Sequence, residues 1–382
     1  MNRFTAGLLG LCLCFAASAQ DLRIGLVAPF SGVAADYGKQ MEAGVRAWLK
    51  VNGETIAGRK VQLLVRDTTG PNPEVAKRLA QELVTRDKVD FLAGFGFTPE
   101  ALAAAPVATE AKVPMVVMNA ASAAVPSRSP YIVRVSMSLP QVSAPMAQWA
   151  AKNGIRKVYT LVSDYAPGLD AEAAFQAAFK AAGGSIVDSV RVPLRNPDFA
   201  PYVQRIKDAK PQAVFIFLPA GEQSVGFMKA FAERGLAAAG IRVIATGDLT
   251  DDNVLGAMGD SVMGVITSHH YSAAHDSPEN RAFVAAFHEV AKGLPRPNFM
   301  AVGGYDGMAA IAAVVAKLGG KVDGERAMAA FKGLRLASPR GAIAIDAATR
   351  DVVQAVYIRR VEKRGGEAWN VEFDQYMTGP VM

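Results

Sequence analysis

The sequence predicts an α/β protein of two doubly wound parallel-sheet lobes. Three observations carry this. Short Val/Ile/Leu-rich runs alternate with helical stretches of ten to fifteen residues from about Leu22 onward. That alternation specifies parallel sheets built from right-handed βαβ crossovers. The alternation then starts again near Lys157, so two similar series imply two similar lobes. Finally, 382 residues exceed what one hydrophobic core usually serves.

The elements follow in order. Arg3, an apolar run from Ala6 to Ala17 and the small-x-small triplet Ala17-Ser18-Ala19 form an export signal expected to be cleaved after Ala19. The run is too short for a permanent membrane anchor. Cys12 and Cys14, the only cysteines, lie inside it, so the mature chain is expected to rely on its core and not on disulfides.

Leu22 to Val27 is the first strand, broken by Pro29-Phe30-Ser31-Gly32 before a helix with Met41, Val45, Trp48 and Leu49 on one face. Val61 to Val65 is the next strand, and Asn72-Pro73-Glu74 starts a helix that runs to about Arg86, with Asn as cap and Pro in the first turn. Val89 to Gly94 and Met115 to Met118 continue the series, and Thr98-Pro99-Glu100 repeats the helix-start chemistry. Tyr131 to Val135 closes the first series, and Arg134 to Gln141 reads as a crossing segment. The second series begins with Lys157 to Val162. It runs through a helix from about Leu169 to Ala182, stopped by Gly183-Gly184, and repeats at Ala213 to Leu218 and Ile241 to Ala245.

Ligands of doubly wound sheets bind beyond the carboxyl ends of the strands, where helix N-termini favour anions. That rule selects six loops: 31–38, 94–98, 119–122, 163–168, 219–222 and 247–250. A two-lobe cleft brings them together. Thr98 and Ser122 offer hydroxyl donors, and Gly94 and Gly96 let a ligand approach the backbone, which makes a carboxylate cradle. Thr98 is equally suited to capping its own helix, and Ser122 to facing water. Phe95, Phe97, Tyr37 and Tyr165 supply aromatic walls, although phenylalanine at such positions is as often core. Asp248 can accept from an ammonium or a hydroxyl, or cap the following turn.

Other chemistries find no support. The net charge of +6 is spread without clustered Lys and Arg, so nucleic acid is not an expected partner. Gly94-Phe95-Gly96 lacks the third glycine of a dinucleotide fingerprint, and no nucleophile elbow, Walker A loop or H-E-x-x-H occurs. His269, His270, His275 and Asp276 match no zinc spacing and read as a polar segment near a lobe crossing. No cofactor, metal or catalytic residue is therefore expected.

The residues resemble the type I periplasmic binding proteins of the leucine/isoleucine/valine-binding branch, which feed ABC importers. The resemblance spans the mature chain. It rests on Pro29-Phe30-Ser31-Gly32 to Tyr37-Gly38, Asn119-Ala120-Ala121-Ser122, Ser163-Asp164-Tyr165-Ala166-Pro167-Gly168 and Val302-Gly303-Gly304-Tyr305-Asp306. It implies three crossover segments, near Arg134 to Gln141, His269 to Ser272 and Arg340 to Asp346. Lobe 1 is then 20–137 plus 270–341, and lobe 2 is 138–269 plus 342–382, with the C-terminal strands from Val352 returning to lobe 2. It also implies a monomer that delivers its ligand to permease subunits. By position, Phe97, Thr98, Ala120 and Ser122 fall where the family holds a ligand carboxylate, and Asp248 falls near its ammonium-binding acid. Tyr165 and Ala220 approach from the second lobe.

The chain departs from amino-acid binders in Phe95-Gly96-Phe97 and in Pro167, where they carry small hydroxyl residues and a tyrosine. It is more similar to members that capture aromatic acids such as benzoate or phenolic derivatives. Branched-chain amino acids are the alternative ligand, and a ligand-sensing receptor domain is the alternative class.

Overall fold

The computed structural model describes residues 20–379; the expected signal segment, with both cysteines, lies outside the described residues. The first sheet contains β1 (Leu22–Ala28), β2 (Thr55–Ile56), β3 (Arg59–Asp67), β4 (Phe91–Gly94), β5 (Met115–Val117) and β6 (Ile132–Arg134). Their order is β2-β3-β1-β4-β5-β6, parallel except for the β2–β3 hairpin. The second sheet begins with β7 (Lys157–Ser163), β8 (Ser185–Val192), β9 (Ala213–Phe217), β10 (Arg242–Thr246) and β11 (Ile266–His269), all parallel. A separate antiparallel ribbon of β12 (Arg335–Ser338), β13 (Gly341–Ile345) and β14 (Val352–Val353) precedes β15 (Ala355–Arg364) and β16 (Glu367–Met377). These last two strands complete the second sheet in antiparallel pairing against β11.

The helices are α1 (Ala35–Asn52), α2 (Pro73–Thr85), α3 (Thr98–Ala111), α4 (Leu139–Lys152), α5 (Ala166–Ala181), α6 (Ala200–Ala209), α7 (Glu222–Glu233), α8 (Pro278–Val290), α9 (Phe299–Lys317) and α10 (Gly324–Phe331). Asn72 caps α2 as expected, its side-chain oxygen accepting from Val75 N at 3.3 Å. Thr98 does not cap α3. That task falls to Glu100, which accepts from Phe97 N at 3.1 Å and so leaves the Thr98 hydroxyl for other partners.

Helix α9 is apolar on nearly every face, Asp306 being its buried charged exception, because it is the buried centre of the first lobe. It meets α1 at backbone distance: a Cβ at Gly44 would stand 1.9 Å from the Ala301 carbonyl, and one at Gly304 would stand 2.1 Å from that of Met41. Gly304 of the Val302-Gly303-Gly304 motif thus serves helix packing, while Gly303 lets α9 approach the Met118 backbone after β5.

The chain changes sheets three times. It leaves the first after Arg134, since α4 packs on the second sheet and on α5, and returns after His269 to form α8 and α9 against α1. The third passage differs from expectation. Residues 341–353 remain in the antiparallel ribbon, because Gly341 at φ 98° turns β12 back onto β13. The chain enters the second sheet only past Gln354, so the lobe boundary expected at 341/342 moves to about this residue.

Arg340 ties these passages together. Its fully buried guanidinium donates to Asp306 on α9 at 2.8 Å, to the Ser136 carbonyl at 3.1 Å, and to the Val135 carbonyl and the Gln354 side chain. Removing one member of such a buried pair strands the other charge. Arg340→Ala should therefore cost about 3–5 kcal/mol in urea unfolding, and pairing Arg340→Met with Asp306→Asn should restore part of that loss.

Candidate functional site

Both sheets direct their strand ends at one interlobe cleft. From the first lobe come Tyr37 on α1, Gly96 and Phe97 after β4, Thr98 at the start of α3, and Asn119 and Ala121 after β5. The second supplies Tyr165 and Pro167 at the start of α5, Phe217 and Pro219 at the end of β9, and Asp248 after β10. Met137 and Leu139, from the first passage between the sheets, complete the wall. The lobes lie closed, leaving about 20 Å³ between these groups. That is room for about one water molecule.

The first-lobe wall is rich in donors. Thr98 Oγ1 accepts from Ser122 N at 3.1 Å, which leaves its hydroxyl hydrogen free, and the N-terminus of α3 adds a positive dipole end. Asn119 donates to the Gly96 carbonyl at 2.7 Å and keeps a buried side-chain oxygen without a partner. Tyr37 stacks on Phe97 with ring centroids 4.8 Å apart and planes 12° from parallel. Its hydroxyl crosses the cleft to donate to the Ala220 carbonyl at 3.1 Å.

The second-lobe wall offers an acceptor. Asp248 takes a bond from Thr246 Oγ1 at 2.9 Å, and burial pushes its carboxyl up to about 6. Burial, followed by the nearby Asp248, raises Tyr165 far above the usual phenol range, so this hydroxyl stays protonated. The Tyr165 ring lies along Phe217 at 6.1 Å between centroids. An anion-favouring end, aromatic sides and a buried carboxyl thus face one another.

A model of the periplasmic binding protein family matches residues 21–367. The chain belongs to that family. A solute-binding protein of an ABC transporter from Rhodopseudomonas palustris BisB5, solved with 3,4-dihydroxybenzoic acid, is 53% identical. It superposes with a TM-score of 0.90 over 94% of this chain and 98% of that one. The counterpart from R. palustris HaA2, solved with p-hydroxybenzoic acid, is 42% identical at a TM-score of 0.92, again over 94% and 98% of the two chains. Leu/Ile/Val-binding protein homolog 6 of Brucella melitensis biotype 1 is 44% identical over 94% of this chain and 93% of its own length.

Among the sequence-derived candidates, Tyr37, Gly96, Phe97, Thr98, Tyr165 and Asp248 border this periplasmic binding protein's cleft. Phe95 does not. It adopts φ 66°, a left-handed conformation costly for a bulky residue, which holds its amide on the Val27 carbonyl while its ring is fully buried in the core. Ala120 also stands behind the wall. Its N–H donates to Phe95 O and its carbonyl accepts from Arg134, so Ala121 reaches the cleft instead. Ser122 spends its hydroxyl on Asp170 of the second lobe. Ala220 lines a neighbouring cavity of about 590 Å³, which Tyr37, Phe97 and Pro219 share with the cleft. Gly96 lets its loop pack on the segment after β1, since a Cβ there would meet Pro29 at 2.9 Å.

Sequence reasoning missed Met137, Leu139 and Phe217. Phe217 ends a strand and was open to the rule that chose the other loops. The two crossing residues were open to a simpler one: a segment that passes between lobes forms part of the wall.

Behind Asp248, burial also raises Asp251 to about 7 and Asp252 to about 6. Asp251 accepts from Asn298 across the lobes at 2.8 Å. A carboxyl raised on folding keeps its proton where the unfolded chain has lost it, so its contribution to stability falls as pH rises from about 4 to 7. His269 and His270, lowered by burial, oppose this, costing stability below the ordinary imidazole range. Asp251→Asn isolates the first effect. Its thermal midpoint relative to the unmodified protein should rise between pH 5 and pH 8; a difference that stays level would remove Asp251 as the source.

Proposed function

We propose that this protein is the extracytoplasmic solute-binding component of an ABC importer, exported with cleavage after Ala19, and that its ligand is a small aromatic carboxylate of the benzoate or phenolic type. The observation that carries the reading is the polarity of the cleft. Thr98 and the start of α3 favour an anion on one wall, Asp248 accepts on the other, and Phe97, Tyr37, Tyr165 and Phe217 line the space with rings. A benzoate carrying a ring hydroxyl meets these demands with its two ends and its faces.

The carboxylate docks first on the Thr98 wall, and hinge closure then brings Tyr165 and Asp248 onto the ring. Phe95, Ala120 and Ser122 contribute by shaping and holding the loops, and Ala220 by receiving Tyr37. The protein acts as a monomer that binds without turnover, using no cofactor or nucleic acid, and passes its ligand to permease subunits. The two R. palustris proteins solved with hydroxylated benzoic acids support the ligand class. The name of the Brucella relative supports a second reading, a branched-chain amino acid held with its ammonium on Asp248.

Thermal-shift measurements separate the two, because a ligand that binds only the folded form raises the midpoint. 4-Hydroxybenzoate and 3,4-dihydroxybenzoate should stabilise the protein and leucine should not; stabilisation by leucine alone overturns the aromatic assignment. Thr98→Ala should weaken 4-hydroxybenzoate binding about tenfold in calorimetry, the worth of one hydrogen bond to a charged group. Asp248→Asn should weaken 4-hydroxybenzoate more than benzoate, since only the former has a ring hydroxyl to donate.

A further inference from the structure

Ser122 Oγ donates to Asp170 Oδ2 at 2.7 Å, and the same oxygen accepts from Ala123 N at 2.9 Å. Ser122 and Ala123 follow β5 in the first lobe, whereas Asp170 lies on α5 in the second. The contact therefore spans the cleft. Its donor side is held rigidly: Ser122 N donates to Thr98 Oγ1 at 3.1 Å, and the Ser122 carbonyl accepts from Arg134 Nη1 at 2.6 Å. Arg134, itself buried, grips Asp351 with two bonds of 2.9 and 2.5 Å. The acceptor side moves with the cleft wall, since α5 also carries Pro167 and is preceded by Tyr165. Closing that wall against Ala121 and seating Asp170 on the serine are one motion. Asp170 itself does not border the cleft.

We propose that Asp170 is a positioning residue that latches the two lobes shut, acting through Ser122 and Ala123 and not through the ligand. The proposal rests on the reading of the cleft as the solute site. A carboxylate that takes two donors at these distances is among the stronger hydrogen-bond arrangements, and this one exists only in the closed form. Its loss should speed ligand release while leaving capture by the open form unchanged. The Ser122 hydroxyl, placed by family position where a ligand carboxylate binds, then serves closure instead.

The test is stopped-flow binding of 4-hydroxybenzoate, with leucine as a second probe, to the full chain and to Asp170→Ala, Asp170→Asn, Ser122→Ala and the Ser122→Ala/Asp170→Ala pair. Asp170→Ala should raise the dissociation rate about tenfold, with association changed less than about twofold. Asp170→Asn, which can still accept, should fall between. The double variant should release ligand no faster than Asp170→Ala, because both changes remove one contact. An unchanged dissociation rate in Asp170→Ala, or effects that multiply in the double variant, overturns the latch. Binding of leucine without 4-hydroxybenzoate sinks the aromatic assignment, and the latch is then read from leucine kinetics. If neither probe binds, the solute-site reading falls, and hydrogen exchange at the Ala123 amide decides: faster exchange in Asp170→Asn supports the latch, equal rates overturn it.

Discussion

The buried guanidinium of Arg340 is the constraint around which the two lobes are organised. It binds Asp306 on the central helix of the first lobe, the carbonyls of Val135 and Ser136 in the first passage, and the Gln354 side chain in the third. Its own carbonyl accepts from Tyr357 of the second sheet at 2.7 Å. A charge this deeply buried is tolerable because an anionic partner and three further acceptors meet it. The result is a single buried node that joins the first and third passages to the central helix of the first lobe.

A second arginine does the same for the loop after β5. Arg134 ends β6 and donates to the carbonyls of Ala120 and Ser122, so its ion pair with Asp351 in the ribbon fixes the loop after β5. With Glu100 holding the Phe97 amide, both first-lobe loops are anchored by the protein's own hydrogen bonds. The second-lobe wall carries Asp248 and the neighbouring Asp251 and Asp252, whose carboxyls burial raises.

Hydroxyl and glycine positions illustrate how a residue type constrains chemistry without choosing its partner. Thr98, Ser122 and Gly96 all lie in the loops that strand-end reasoning selected. Yet Thr98 borders the cleft, Ser122 reaches across to a helix, and Gly96 makes room for Pro29. Each satisfies the same local rule, that a polar or small residue is welcome at a strand end. Which neighbour it meets depends on residues distant in sequence.

The sequence by itself determined the α/β alternation and its doubling into two parallel-sheet lobes, and it pointed to strand-end loops as the place to look for a cleft. These follow from periodicity, turn residues and helix starts, which are local and survive in a one-dimensional string. Only the tertiary structure decided that the ribbon through Val353 delays the third passage, that Phe95 turns into the core, that Met137 and Leu139 reach the wall, and that Asp170 is the partner of Ser122. The ribbon is a local hairpin whose Gly341 turn sequence reasoning passed over, and the others depend on contacts between segments far apart in sequence, where side-chain direction and burial are set by packing and not by residue type.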